Sequence, residues 1–409
     1  MSSPQSSEIS AGKAGGGFAV TASICAVFGL LGWAFDLWFF RVGPAQDWMV
    51  FYTVARAFFD GNLPLIFDGA TLTAAINQRF ADWLTYPLGP HPWVYPPPFL
   101  LLILPFGVLP PVLSLPSFVL AGFAASVLSV WRCLDRNLRR WPLIATLLLC
   151  PAVPFNVMTG QNAFYTAALL VAGLGGIARY PVLCGALLGL LSVKPQLCLM
   201  AFVALVAARQ WRSLGSAAAS ACLLTLVSVP VAGLDMWRGW LDLVFGGNEL
   251  YQSWLNVGRL NGIGVYACVS WLGAPGSVAS LAQAAATIGS GGLVYWVYRQ
   301  PASGAIRLAA LLAATILAAP HASNSDAILL GLAASLYVTA LPPQELRPHR
   351  LAIAAAVWIS PLFNPPVLFR IGCVTPLLVA ALLAVIAITI RGQSEAEPAA
   401  AAAPPLTAA

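Results

Sequence analysis

The 409-residue chain is 59% hydrophobic and only 8% charged, with a net charge of +6. Apolar runs of near-spanning length recur from Thr21 to Ile390, which excludes a soluble globular protein. The runs are long and continuous and lack the alternation of barrel strands, so the expected fold class is an all-α polytopic membrane protein.

Eighteen Arg and two Lys are scattered in small groups over the connecting segments, a pattern suited to loops at a membrane surface and not to nucleic acid. All eight Cys lie in or beside apolar segments, with no CxxC and no nearby His, and read as small hydrophobes without metal or disulfide roles.

Residues 1–17 read as a disordered cytoplasmic tail. Phe18 to Phe40 is too long for a cleaved signal and predicts a first transmembrane helix. Lys13 before it argues for a cytoplasmic N-terminus, placing the polar interval 41–98 outside the cytoplasm. That interval carries Asp47, Asp60, Asp68 and Asp82, four of the fourteen acids. Its apolar spacing predicts short interfacial helices over Asp47 to Phe59 and Thr71 to Leu84, with Trp48, Trp83 and Trp93 at headgroup depth.

Phe99 to Leu109 is short for a span, and Pro110-Pro111 separates it from the span 112–131. The most basic loop, Arg132 to Arg140, follows; the positive-inside rule puts it in the cytoplasm, which requires 99–109 to be a half-crossing. Further spans are expected near 141–157, 161–178, 181–208, 214–232, 258–274, 277–298, 303–320, 324–341, 350–364 and 371–390. Thirteen apolar segments result, eleven to thirteen of them crossing, in a membrane domain over 18–391. A second surface loop is expected at 235–258 and a disordered tail at 392–409. No internal repeat of the transporter kind is visible.

Polar groups within apolar segments are costly, and are therefore candidates for function. Lys194 sits inside the run 181–208, before Pro195 and Gln196. An ammonium beside broken backbone suits a phosphate; snorkelling or a structural ion pair is the alternative. His321, Asn324 and Asp326 lie between two apolar helices and offer an imidazole, an amide and a carboxylate, unless Asn324 or Ser325 simply caps the next helix. Thr159-Gly160-Gln161-Asn162 is either a sugar-binding turn or a polar cap. Asp60, Asp68 and Asp82 fit turn and interface roles. Asp47 stands apart, just after the first span with Trp48 and Tyr52 beside it, although an N-terminal helix position also suits a simple cap.

An Asp-aromatic pair after the first helix, Gly61 to Asp68, Tyr95-Pro96-Pro97-Pro98, Gly160-Gln161-Asn162, Lys194-Pro195-Gln196 and Pro320-His321 through Asp326, taken in order, resemble glycosyltransferase family 87. These are polyprenol-phosphate-mannose-dependent α-1,2-mannosyltransferase-like proteins of the GT-C fold. The resemblance spans roughly residues 30–340. It implies a lipid-linked sugar donor, a glycan or glycolipid acceptor, an extracytoplasmic site in a bacterial inner membrane and inverting transfer, with no cofactor.

In that pattern Asp47 matches the catalytic acid and His321 a second functional position. Lys194 and Arg259 are available for the donor phosphate. Tyr95, Gln161, Asn162, Gln196, Asn324 and Asp326 fall on the remaining motifs as substrate-binding candidates. Ser323-Asn324-Ser325 departs from the aromatic residues frequent there. The competing readings are a transporter or flippase of lipid-linked sugars and a non-catalytic scaffold.

Overall fold

A computed structural model describes residues 4–246, 249, 262–364 and 374–401, the side chains of 4–15 and 394–401 excepted. Among these residues there are eighteen α-helices and no strand. The all-α polytopic expectation therefore holds.

The first helix, α1 (Pro4–Phe39), enters the cap formed by the interval 41–98. In this cap α2 (Gln46–Phe59) forms where the apolar spacing predicts a helix, and α3 (Gly69–Arg79) covers the first part of the expected helix 71–84, which gives way to a turn at 80–83. Asp68 caps α3 by accepting from Ala70 N and Thr71 N, so it serves the turn. Asp60 pairs at the surface with Arg56, at 2.8 Å, and with Arg79, at 3.6 Å.

The tryptophans correct the sequence reading. Trp48 and Trp93 are fully buried in the cap's own core, with Phe51, Phe80 and Phe99, and so do not present their rings to lipid headgroups. Trp83 stacks on Trp48 with ring centroids 5.9 Å apart. Ten large apolar rings concentrated in one segment can bury more area against each other than against lipid headgroups, so the cap packs as a unit.

Next, α4 (Pro98–Gly107) is ten residues, about 15 Å long, and cannot span alone. It packs along α2 within the cap, with Gly107 against Ala55 and Phe59. The second full-length span is α5 (Pro111–Cys133), begun by Pro111 at its first position, where the missing N–H costs nothing. It runs from the cap, where Phe118 meets Phe51, to the basic loop at 134–140.

The expected span 141–157 is bent by 52° into α6 (Trp141–Leu149) and α7 (Ala152–Thr159) around Cys150-Pro151. After α8 (Ala163–Gly175), the run 181–208 is not a single helix either. It divides into α9 (Pro181–Gly189), a 3-10 turn at Leu190–Val193 and α10 (Pro195–Ala207), with Lys194 at the break. Pro195 cannot donate to a carbonyl four residues back and its ring crowds that turn, which forces the discontinuity.

The chain continues through α11 (Trp211–Ala232), α12 (Leu234–Phe245), α13 (Val265–Trp271), α14 (Gly276–Arg299), α15 (Gly304–Ala318), α16 (Ile328–Ala340), α17 (Pro348–Ile359) and α18 (Val374–Ala401). Central to the main core are α15 and α16, apolar on every face and buried among α6, α8, α14 and α18.

By length and composition, five helices among the described residues can cross a membrane alone, with the bent α6–α7 pair a sixth; six shorter apolar helices there have 10–17 residues. Eleven to thirteen crossings would need those short helices, whose broken ends are tolerated at membrane depth only when buried in protein.

Cysteine supplies another correction. Cys268 on α13 is disulfide-bonded, whereas Cys25, Cys133, Cys150, Cys184, Cys198 and Cys222 are free thiols.

Candidate active site

Three irregular pieces of backbone bring the polar candidates together. The first is the start of α2, where Ala45 adopts a left-handed conformation, φ 57°, and its N–H donates to Met158 O at 2.6 Å. That bond ties α2 to the end of α7. The second is the turn after α7, where Gly160 has φ 69° and a Cβ there would lie 2.3 Å from Trp48 Cβ. Only glycine lets Thr159, Gln161 and Asn162 approach α2 so closely. The third is the break at Lys194, facing the 3-10 turn at Ser325–Ala327.

Asp47 occupies the first turn of α2. Its side chain is half-buried. Burial raises its pKa above the ordinary carboxylate value; the charges of His91 and Lys194 and hydrogen bonding by Gln161 and Thr159 oppose that rise. The Thr159 hydroxyl is also 2.8 Å from Phe155 O, so its one proton serves either Asp47 or that carbonyl.

Tyr95 receives a hydrogen bond from Asn162 Nδ2 at 3.2 Å. Its hydroxyl is in electrostatic reach of Lys194, Asp326 and Asp47. The Asn162 Oδ1 is buried with no protein partner. Such an acceptor is able to receive a hydroxyl proton from a bound molecule.

Lys194 Nζ donates to Asp326 Oδ1 at 2.9 Å, with side-chain exposures of 7% and 3%, so the pair is buried. Asp326 Oδ2 accepts from Ser323 N and Ser323 Oγ, both at 3.1 Å. The structural ion pair weighed as an alternative for Lys194 is thus present. An ammonium has three donors, and Asp326 takes one.

Asn324 Oδ1 accepts from Asn364 Nδ2 at 3.1 Å, and Thr375 supports Asn364 in turn at 2.9 Å. Asn324 therefore does not act as a helix cap.

His321 and Gln196 lie elsewhere. They line a cavity of about 640 Å³ with Pro195, Tyr266, Gln283, Thr287 and Pro320. Gln283 there donates to the last carbonyls of α15, Leu317 O and Ala318 O. The two places adjoin through shared segments, since Lys194 and Gln196 flank Pro195, and His321 and Asp326 belong to one turn. Asp47, Tyr95, Gln161, Asn162, Lys194 and Asp326 thus gather, His321 and Gln196 form a second group, and Arg259 lies outside the described residues.

His91 is the site residue that sequence reasoning missed. It is one of three His in the chain and sits in the acid-bearing loop as Gly89-Pro90-His91-Pro92, a signal that was available. Among the described residues, no group of three His, Cys, Asp or Glu is placed to hold a metal ion.

No curated protein and no solved structure matches the chain. The model of Glycosyltransferase family 87 matches residues 93–320, more than half of the chain, including Tyr95, the Gly160 turn and Lys194-Pro195-Gln196. On that match, the chain belongs to glycosyltransferase family 87.

Proposed function

We propose that the protein transfers a hexose, mannose being the leading assignment, from a polyprenyl-phosphate sugar to a glycan or glycolipid acceptor. The site would open on the extracytoplasmic side of a bacterial inner membrane. The observation that carries this reading is one half-buried carboxylate, Asp47, within interaction range of the Gln161 amide, the Thr159 hydroxyl and the Lys194 cation.

In this reaction the acceptor oxygen attacks the anomeric carbon while the carbon–phosphate oxygen bond breaks. The polyprenyl phosphate leaves with the electron pair, and Asp47 takes the acceptor's hydroxyl proton. A carboxylate held at a raised proton affinity is the better base for that step. Asp326, the neighbouring acid, is occupied by Lys194 and Ser323, which favours single displacement with inversion over a route that needs a second nucleophile. Charge building on the departing phosphate would be met by the two remaining Lys194 N–H donors. Gln161, Asn162 and Tyr95 would orient sugar hydroxyls. His321 and Gln196 would serve the donor from the adjoining cavity.

Two features support the orientation. The helices α1 and α5 both reach the cap with one end, so the basic loop 132–140 falls on the same side as Lys13. A disulfide at Cys268, four residues beyond the Gly264 that meets the 319–326 turn, suits an oxidising compartment on the site's side.

The test is transfer by purified protein from polyprenyl-phosphate [3H]mannose to a lipid extract of the source cells. Asp47→Asn should abolish transfer with folding intact, and turnover at the wild-type rate in that variant would remove Asp47 from the mechanism.

A further inference from the structure

We propose that α12 is a membrane-docking helix: its exposed apolar stripe, Leu234, Leu241 and Phe245, seats in the lipid interface on the cap side, while its opposite face holds the segment Trp93–Tyr95 in place. This rests on the reading of Tyr95 as a site residue, and it is tested without turnover.

The placement follows from continuity with a span. α11 is long and apolar enough to cross a membrane, and it presents Leu223, Leu226 and Val227 outward, the last of them two turns before Leu234. Its final residue, Ala232, is buried in the cap core. Gly233 breaks the helix there with φ 84°, a conformation that a side chain would strain. α12 therefore begins where a span ends, at the boundary between hydrocarbon and water.

The residues of α12 divide among three surroundings. With successive residues turned by about 100°, Leu234, Leu241 and Phe245 fall on one stripe, Arg238, Asp235 and Asp242 on the stripe beside it, and Met236, Leu243 and Trp240 opposite. The first stripe is exposed, at 57%, 43% and 78%. The second carries an exposed ion pair, Arg238 to Asp235 at 2.9 Å, and on the third Met236 and Leu243 are buried. A helix on the surface of a soluble protein needs two sectors, an apolar one inward and a polar one outward. The third sector here, apolar and outward, fits lipid, with the charged stripe beside it turned to water. Trp237 lies between the exposed and the buried apolar stripes and donates Nε1 to Ser228 Oγ of α11 at 3.1 Å, which keeps that side against the span.

The inner face of α12 reaches the wall of the site. A Cβ on Gly239 would lie 2.6 Å from the Phe67 ring, so the helix backbone rests directly on the cap. One residue on, Trp240 Nε1 donates to Val94 O at 3.3 Å. Val94 sits between Trp93, which stacks on Phe99, and Tyr95, which stacks on the same ring at 4.1 Å and accepts from Asn162. A helix anchored in lipid on one face thus holds the Tyr95 segment with the other.

The experiment uses the purified full-length protein in nanodiscs of phosphatidylglycerol and phosphatidylethanolamine. Nitroxide labels on Leu241→Cys, Phe245→Cys, Asp235→Cys and Asp242→Cys, in a Cys222→Ala background that removes an exposed native thiol, are read by power saturation with oxygen and with a water-soluble nickel complex. Labels at 241 and 245 should favour oxygen over nickel, and those at 235 and 242 the reverse. Nickel access at 241 and 245 equal to that at 235 and 242 would put the stripe in water and overturn the docking. Exclusion from both reagents would mean that protein covers the stripe, a second copy or another segment of this chain, and would overturn it equally.

Hydrogen exchange of the peptide 87–97 reads the hold on the site. Leu241→Glu combined with Phe245→Glu should speed exchange there by about tenfold, with α11 unchanged, and Trp240→Phe, which keeps a ring and removes the donor, should do the same. Exchange at the wild-type rate in either variant overturns the coupling. Neither readout depends on transfer, so a protein that proves inactive with polyprenyl-phosphate mannose overturns the transfer reading alone.

Discussion

Lys194 and Asp326, 132 residues apart in the chain, meet at 2.9 Å with both side chains buried. Breaking such a pair strands a charge in a low-dielectric interior, which costs about 3–5 kcal/mol. Asp326→Ala should therefore destabilise severely, and Lys194→Ala likewise. The double variant Lys194→Met with Asp326→Leu should recover most of the thermal stability, because no charge is left unpaired. Donor binding separates structure from function: the stable double variant should bind polyprenyl-phosphate mannose at least tenfold more weakly, and unchanged donor affinity would leave Lys194 a structural residue.

Asp47 makes a prediction in pH. Burial raises its pKa, so transfer should fall on acidification through an acid limb above the ordinary carboxylate range. The sign for stability is opposite to that of a salt-bridged acid. A folded-state pKa above the unfolded value means the folded protein holds the extra proton, so this contribution to stability declines as pH rises through that interval. Asp47→Asn should melt at or above the wild-type temperature at neutral pH, by calorimetry in detergent, while losing transfer.

Gly160 is irreplaceable in geometry. A Cβ there would sit 2.3 Å from Trp48 Cβ, on backbone with φ 69°. Gly160→Ala should cost about 1–3 kcal/mol in strain and displace Gln161 and Thr159 from Asp47, lowering kcat more than it raises KM. A melting curve and a kcat matching wild type would show that the turn can relax without consequence.

Orientation can be read by single-cysteine labelling. Asp82 lies exposed on the cap and Arg136 exposed on the basic loop. Asp82→Cys should react with a membrane-impermeant maleimide in intact cells, and Arg136→Cys only after lysis. Reversed labelling would move the site to the cytoplasmic face.

Helix packing offers one further check. Gly185 on α9 meets α11 so closely that a Cβ would lie 2.2 Å from Ser213 O. Gly185→Leu should force the two helices apart and lower the melting temperature by several degrees, equivalent to about 1–3 kcal/mol of overpacking. A melting temperature unchanged by the leucine would mean that this contact is dispensable.

The amino-acid sequence by itself determined the lipid-compatible all-α class, since continuous apolar runs are legible without knowing any partner. It also determined α2 and most of α3, whose apolar residues repeat at the local helical period. The break at Lys194 was half-legible: Pro195 announced it, but a 28-residue apolar run disguised it as one span. Tertiary structure alone decided the rest, because pairings such as Lys194 with Asp326 depend on chain segments that no local period relates. The same holds for Trp48 and Trp93, whose amphipathic rings suit a membrane interface or a core equally until their neighbours are known. The loop 87–94 is likewise fixed by ties to Asn77 and Thr73 of α3, partners that its own sequence does not announce.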